Sequence, residues 1–204
     1  ADADTPRGIV AAAGLRRARL EDLPVTRDGV YLYVDRLQDP GNLGALARTA
    51  EAAGTAGLVL SPGTVDPHHS RAMRASAGSL LRLPAAVAVE PDALSRHLAP
   101  LSPTWLALEA HGGEDLYTAP LDGTLILALG AEGPGLSSDV AARAGRRLTI
   151  PLAPPVESLN ATVAAALVLF EIRRRRALHR PPRGRGLRPV RARARRDPCQ
   201  RVLG

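Results

Sequence analysis

Three short segments carry polar side chains and glycines in patterns that local folding alone does not account for. In Asp39-Pro-Gly-Asn42-Leu-Gly-Ala-Leu-Ala-Arg48-Thr-Ala a turn feeds a helix, and Asn42 and Arg48 stand six residues apart, less than two turns. Leu129-Gly130-Ala131-Glu132-Gly-Pro-Gly135-Leu is a glycine-rich loop with a single acid, and glycines let a backbone approach a ligand closely or take positive φ. Ile150-Pro151-Leu-Ala-Pro-Pro-Val-Glu-Ser158-Leu159-Asn160 is a proline-stiffened loop that enters a long helix with a Ser and an Asn at its mouth. Each has a plain structural reading: a strand-turn-helix, a turn and an N-cap. Together, three such loops at strand ends of one small sheet point to a ligand-binding crevice.

Several other chemistries are excluded. A phosphate-binding P-loop needs a lysine, and the chain has none. No Gly-x-Gly-x-x-Gly joins a strand to a helix, and no Gly-x-Ser-x-Gly offers a nucleophile elbow. His68 and His69 are adjacent, cannot face one way on a helix, and read as surface residues rather than a metal clamp. The single cysteine, Cys199, rules out an internal disulfide and a cysteine-rich metal cluster, and makes a reducing, cytoplasmic location the expectation. No apolar run of about 18 residues is present, so no membrane span is expected.

The elements that must hold these loops are read from apolar runs and turn signals. Strands are expected at Tyr31–Asp35, Gly57–Leu60, Leu83–Val89, Trp105–Leu108, Leu125–Leu129 and Arg147–Ile150. Helices are expected at Asn42–Ala53, with Asn42 as its cap, and at His68–Ser76, Asp92–Leu98, Ser137–Ala144 and Ser158–Arg176. Alternating strands and helices predict an α/β fold, a mostly parallel sheet covered on both faces. Leu125–Leu129 is apolar throughout, as for a strand buried on both sides. At 204 residues there is room for one such domain; 45% of residues are hydrophobic but only 2% aromatic, so the core must be aliphatic.

Charge divides unevenly. All 27 basic residues are arginine; 13 lie from Arg173 onward against one acid, Asp197, while the first 172 residues hold 14 against 19 acids. The body is mildly acidic and the end strongly basic. The absence of lysine, with abundant Ala, Gly and Pro, fits a codon bias, so the basic end reads equally as a solvated disordered segment or as an electrostatic arm for a polyanion.

The three segments resemble the three motifs of the SpoU (TrmH) family of RNA 2′-O-methyltransferases, within the SPOUT superfamily. Asn42 through Arg48-Thr-Ala resembles the first, Gly130-Ala-Glu132-Gly-Pro-Gly-Leu the second, and Ile150-Pro through Ser158-Leu-Asn160 with the helix to Glu171 the third; order and spacing fit across residues 30–176. Ala161, Pro154-Pro155 and Glu157 depart from the pattern. The resemblance implies that the C-terminal part forms a deep trefoil knot, a feature composition could not reveal. It implies S-adenosyl-L-methionine as cofactor, bent among the second and third loops near Leu129, Gly130, Ala131, Gly135, Ile150, Pro151, Leu159 and Asn160. It implies RNA (rRNA or tRNA) as substrate and a homodimer packed through the knot region. Residues 1–29 are then a linker or peripheral segment, 30–178 the catalytic domain and 179–204 an arginine-rich tail expected to be disordered. Thr5-Pro-Arg-Gly-Ile-Val10 resembles the join that, in larger members, follows a small RNA-binding domain, which would make the chain a fragment missing its recognition module.

By the same resemblance Arg48 is the central catalytic residue, with Asn42, Glu132, Ser158 and Asn160 orienting the ribose, Arg48 and each other. A guanidinium is a poor base because it stays protonated, so Arg48 is expected to bind a neighbouring phosphate and stabilise the forming alkoxide. Two alternatives stand: a non-catalytic RNA-binding protein of this fold, which would be expected to have lost Asn42, Arg48 or Asn160, and a SPOUT enzyme that methylates a base.

Overall fold

The computed structural model describes Gly14, residues 19–131 and residues 133–179. Glu132, the Thr5–Val10 join and the tail beyond His179 lie outside the described residues. Seven strands form one sheet: β1 (Val30–Val34), β2 (Gly57–Leu60), β3 (Ala85–Ala86), β4 (Thr104–Leu108), β5 (Glu114–Asp115), β6 (Leu125–Leu129) and β7 (Arg146–Thr149). Their order is β3-β2-β1-β6-β4-β7-β5, and every pairing is parallel. The helices are α1 (Pro40–Ala53), α2 (Ser70–Ala75), α3 (Ser79–Arg82), α4 (Pro91–Leu98), α5 (Ser138–Ala141) and α6 (Ala161–His179).

The two-residue period of the strands sorts their side chains onto two faces. Val30, Leu32 and Val34 of β1, with Leu127 and Leu129 of β6, pack against Leu43, Leu46 and Ala50 of α1 and Ala165, Val168 and Leu169 of α6. Tyr31, Tyr33, Ile126 and Ala128 face the other way, against Leu94 and Leu98 of α4 and Val140 of α5. With so few aromatics, one ring pair stands out in this second layer: Tyr33 meets Trp105 edge-on, centroids 5.2 Å apart. Residues from Arg19 onward also lie on this face, where Leu23 is buried and its carbonyl is bonded by His97 Nε2 at 3.0 Å. β1 and β6 are buried at every position, as their unbroken apolar runs require of central strands.

The structure corrects several boundaries. Asp39, not Asn42, caps α1: its side chain accepts from the Asn42 N–H at 2.7 Å. Pro40 is then the first helical residue, where its missing N–H costs nothing, and Asn42 stands inside the first turn. The run Leu83–Val89 forms only the two-residue β3, because Pro84 has no N–H to donate and Ala88 turns left-handed at φ 56°. α6 begins at Ala161 rather than Ser158, and α5 stops at Ala141.

Arg173 to Arg176 fall within α6, as expected, and three of them join it to the rest of the domain. Arg175 donates to the carbonyls of Leu116 (2.8 Å) and Ala119 (2.6 Å) and to Glu171 Oε1 (2.7 Å). Arg176 binds the carbonyls of Asp28 and Gly123, and Arg173 that of Ala52. Among the described residues no helix is long and apolar enough to cross a membrane.

Candidate functional site

In a parallel sheet the loops leaving the carboxyl ends of the strands gather on one edge, and a crevice opens between neighbouring ones. Here that crevice, of about 650 Å³, lies over the adjacent strands β6, β4 and β7. Leu108, Glu109 and Ala110 come from the end of β4; Leu129, Gly130, Ala131 and Gly135 from β6 and its loop; Ile150, Ser158, Leu159 and Asn160 from the loop after β7. Seven of the eight residues expected to hold a cofactor are thereby brought together. Pro151 instead lines an adjoining groove with His111 and Pro155.

The glycine loop is closed upon itself. Gly135 N–H donates to the Ala131 carbonyl at 2.9 Å, and Gly133 (φ 88°) and Gly135 (φ 71°) take positive φ to make the return. Gly130 lies beneath that return: a Cβ there would stand 2.1 Å from the Gly135 carbonyl carbon and 2.3 Å from Leu136 N. Its far end is pinned by Asp35, a buried carboxylate at the end of β1 whose Oδ2 accepts from the Ser137 N–H at 2.7 Å. The glycine-loop side of the crevice is thus backbone held in one shape from below and behind.

Asn160 fulfils its plain reading as well as lining the crevice: its side-chain oxygen accepts from the N–H of Thr162 at 2.9 Å and caps α6. Ser158 is exposed at the crevice mouth. Asn42 lies beside α6, where its carbonyl meets Thr162 Oγ1 at 3.5 Å, so the starts of α1 and α6 adjoin. Arg48 is exposed and does not line the crevice of its own chain. It falls one turn after Gly44, whose missing side chain lets α1 press on Ala72 and Ala75 of α2, so Arg48 lies toward the α2 flank. Glu132 lies outside the described residues. No group of three or more His, Cys, Asp or Glu that could hold a metal occurs among the described residues.

A model of the SpoU rRNA methylase family matches residues 29–170, a span that takes in all three loops. The chain belongs to this family. An uncharacterised tRNA/rRNA methyltransferase of Synechocystis is 36% identical over 83% of this chain and 61% of that protein. A 23S rRNA (uridine(2479)-2′-O)-methyltransferase of Streptomyces viridochromogenes is 30% identical over 85% of this chain and 62% of its own length. The SpoU methyltransferase AviRb of the same organism, solved in complex with AdoMet, superposes with a TM-score of 0.75 at 29% identity, covering 81% of this chain and 64% of that one. The chain therefore spans less than two thirds of the length of these SpoU relatives.

Two residues of the site escaped the sequence reading. Asp35 reads in the sequence as the last residue of a strand, since its partner Ser137 lies 102 residues further on. Glu109, on the crevice wall and paired with Arg147, follows the apolar run of β4; an acid at the carboxyl end of a buried parallel strand was the available signal.

Proposed function

We propose that this chain transfers a methyl group from S-adenosyl-L-methionine to a ribose 2′-hydroxyl of structured RNA, ribosomal or transfer. The observation that carries the reading is the crevice over β6, β4 and β7, walled by the half-buried Gly130 and Ala131 and by the apolar side chains of Leu129, Ile150 and Leu159. Its volume of about 650 Å³ suits a small ligand, and backbone donors and acceptors against apolar walls suit a neutral adenine and its ribose. The cofactor, when bound, supplies an electrophilic sulfonium methyl.

The chain's own residues supply position and charge. Ser158 and Asn160, at the crevice mouth, orient the ribose so that its hydroxyl oxygen lies in line with the methyl; such alignment is worth several kcal/mol, up to about 7–11 in the best cases. Asn42, beside the start of α6, shares this orienting role, and the resemblance gives Glu132 the same part. Arg48, exposed outside the crevice of its own chain, binds the phosphate next to the target ribose and offsets the negative charge that forms as the hydroxyl proton passes to water.

Two finer features belong to the same reading. A trefoil knot is supported by the strand order: β6 lies between β1 and β4, and β7 between β4 and β5, so each late strand is inserted between earlier ones. A homodimer is supported by the outward side of α6, where Val163 (49% exposed), Leu167 (37%) and Phe170 (45%) adjoin Tyr117 (54%). A helix apolar on both sides is ordinarily covered on both, and a second copy of this chain is the occupant. Residues 30–178 would then form the catalytic unit, with residues 1–29 and 179–204 outside it, in a cytoplasmic protein.

The test is incubation with bacterial ribosomal and transfer RNA and methyl-labelled S-adenosylmethionine, followed by digestion to nucleosides. Label in a 2′-O-methylated nucleoside is expected. Label in a base-methylated nucleoside would make the enzyme a base methyltransferase, and no label in either RNA would contradict the proposal.

A further inference from the structure

Four arginines of the described body have close carboxylate partners. Arg82 meets Glu51 at 2.7 Å, Arg143 meets Asp92 at 2.7 Å, Arg146 meets Glu114 at 2.7 Å, and Arg147 contacts Glu109. Two others, on one shoulder of the sheet, are held more loosely. Arg36 Nε is 3.9 Å from Asp35 and its side chain is 64% exposed; Arg71 makes a single contact of 3.4 Å to Asp39 and is 62% exposed. Asp35 is already engaged by the Ser137 N–H and Asp39 by the cap of α1, so neither carboxylate is devoted to its arginine. The Arg36–Asp35 approach of 3.9 Å is too long for a hydrogen bond, and an exposed pair such as Arg71–Asp39 is worth about 0–1 kcal/mol, so a phosphate can replace either contact.

The shoulder is rigid. Arg36 is held left-handed, at φ 56°, while its N–H donates to Ser61 Oγ at 2.9 Å and Thr64 Oγ1 at 3.1 Å. Gln38 Nε2 donates to the carbonyls of Arg36 and Gly63, both at 2.7 Å, and Val65 N–H reaches the Leu37 carbonyl at 2.8 Å. These bonds fasten the loops after β1 and β2 into one platform. It stands on the same carboxyl edge as the crevice, beside β1, the neighbour of β6. Asp35 turns inward to brace the crevice loop, and the next residue, Arg36, turns out to solvent. Arg48 lies on the α1 flank that meets α2, the helix bearing Arg71.

We propose that Arg36 and Arg71 form a phosphate-binding platform for the RNA strand flanking the target nucleotide. It rests on the reading of the crevice as the cofactor site and adds the direction in which the RNA leaves it: over β1 and β2, on the α1–α2 side. Two cations on an otherwise acidic body, fixed to a stiff support, hold a polyanion in register without reading its sequence. Arg36 and Arg71 are therefore positioning residues for the substrate.

The experiment uses the full chain and its variants Arg36→Gln, Arg71→Gln and the double variant, with Arg82→Gln as an exposed but ion-paired control. Binding of a fluorescein-labelled RNA hairpin is followed by anisotropy across salt concentrations, cofactor affinity by calorimetry, and methyl transfer to ribosomal RNA by labelling. Each platform substitution should lower the slope of log K against log salt by roughly 0.7–1, as one phosphate contact is lost. KM for RNA should rise while kcat and cofactor affinity hold, and Arg82→Gln should match the wild type. Slopes equal to wild type in the double variant would overturn the platform, as would a wild-type chain that binds no RNA. An equal loss from Arg82→Gln would also overturn it, since general surface charge would then account for the binding. With cofactor binding intact, such a result removes the platform and leaves the crevice reading standing; absent cofactor binding with the slope effect present does the reverse.

Discussion

Replacing Asp35 with alanine takes away the oxygen that holds the Ser137 N–H at 2.7 Å and so frees the far end of the glycine loop. A hydrogen bond to a charged partner contributes about 1.5–3 kcal/mol, and the half-buried position of Ser137 places this one toward the lower end. If the loop must be reordered each time a ligand binds, that energy appears as a loss of S-adenosylmethionine affinity of about 10- to 30-fold. Asp35→Asn keeps an acceptor for the N–H and should recover more than half of the loss. Calorimetry on wild type and both variants measures it, with melting curves to show that the sheet survives and kcat at saturating cofactor to separate binding from turnover. Equal affinity in wild type and Asp35→Ala would refute the claim that this bond holds the loop. Equal losses in the Ala and Asn variants would assign the effect to the carboxylate's charge instead.

Arg48→Ala should abolish methyl transfer while cofactor affinity stays within about twofold, because Arg48 does not line the crevice; calorimetry beside a labelling assay checks it. Gly130→Ala should weaken cofactor binding about 10- to 100-fold, since its Cβ meets the backbone of Gly135 and Leu136 rather than a side chain that could swing away. The guanidinium of Arg174, and then that of Arg175, holds the Glu171 carboxyl at about 2, below its ordinary 4.5. A carboxylate depressed in this way stabilises the fold above its unfolded pKa and loses that contribution as pH falls from about 4.5 to about 2. Glu171→Gln should accordingly be less stable than wild type at pH 7, by about 1.5–3 kcal/mol, with the gap closing across that acid window in chemical denaturation.

The parts of this molecule that were legible in its sequence are those fixed by local pattern. β2 falls at Gly57–Leu60 and β6 at Leu125–Leu129, as expected, because a strand buried on both faces needs an unbroken apolar run and little else does. Asn42 was misplaced as a cap because Asp39 competes for the role, and a proline in the first helical position decides for the residue before it. The edge strand β5 is two exposed acids, Glu114 and Asp115, with no apolar signal to find. Arg173, Arg175 and Arg176 read as charge in the sequence but donate hydrogen bonds to carbonyls across the domain, a distinction that needs the partners in view. The crevice was legible as three loops, yet the reason Gly130 must be glycine, the return of its own loop over it, is a tertiary fact.

The central claim is that the crevice over β6, β4 and β7 is a cofactor site, and it is tested most directly by titrating S-adenosylmethionine into the purified chain without RNA. The account predicts a saturable heat with one site per chain, competition by S-adenosylhomocysteine, and marked weakening in Gly130→Ala while the variant remains folded. A folded wild-type chain that gives no heat, in a buffer where a control methyltransferase binds, would contradict it.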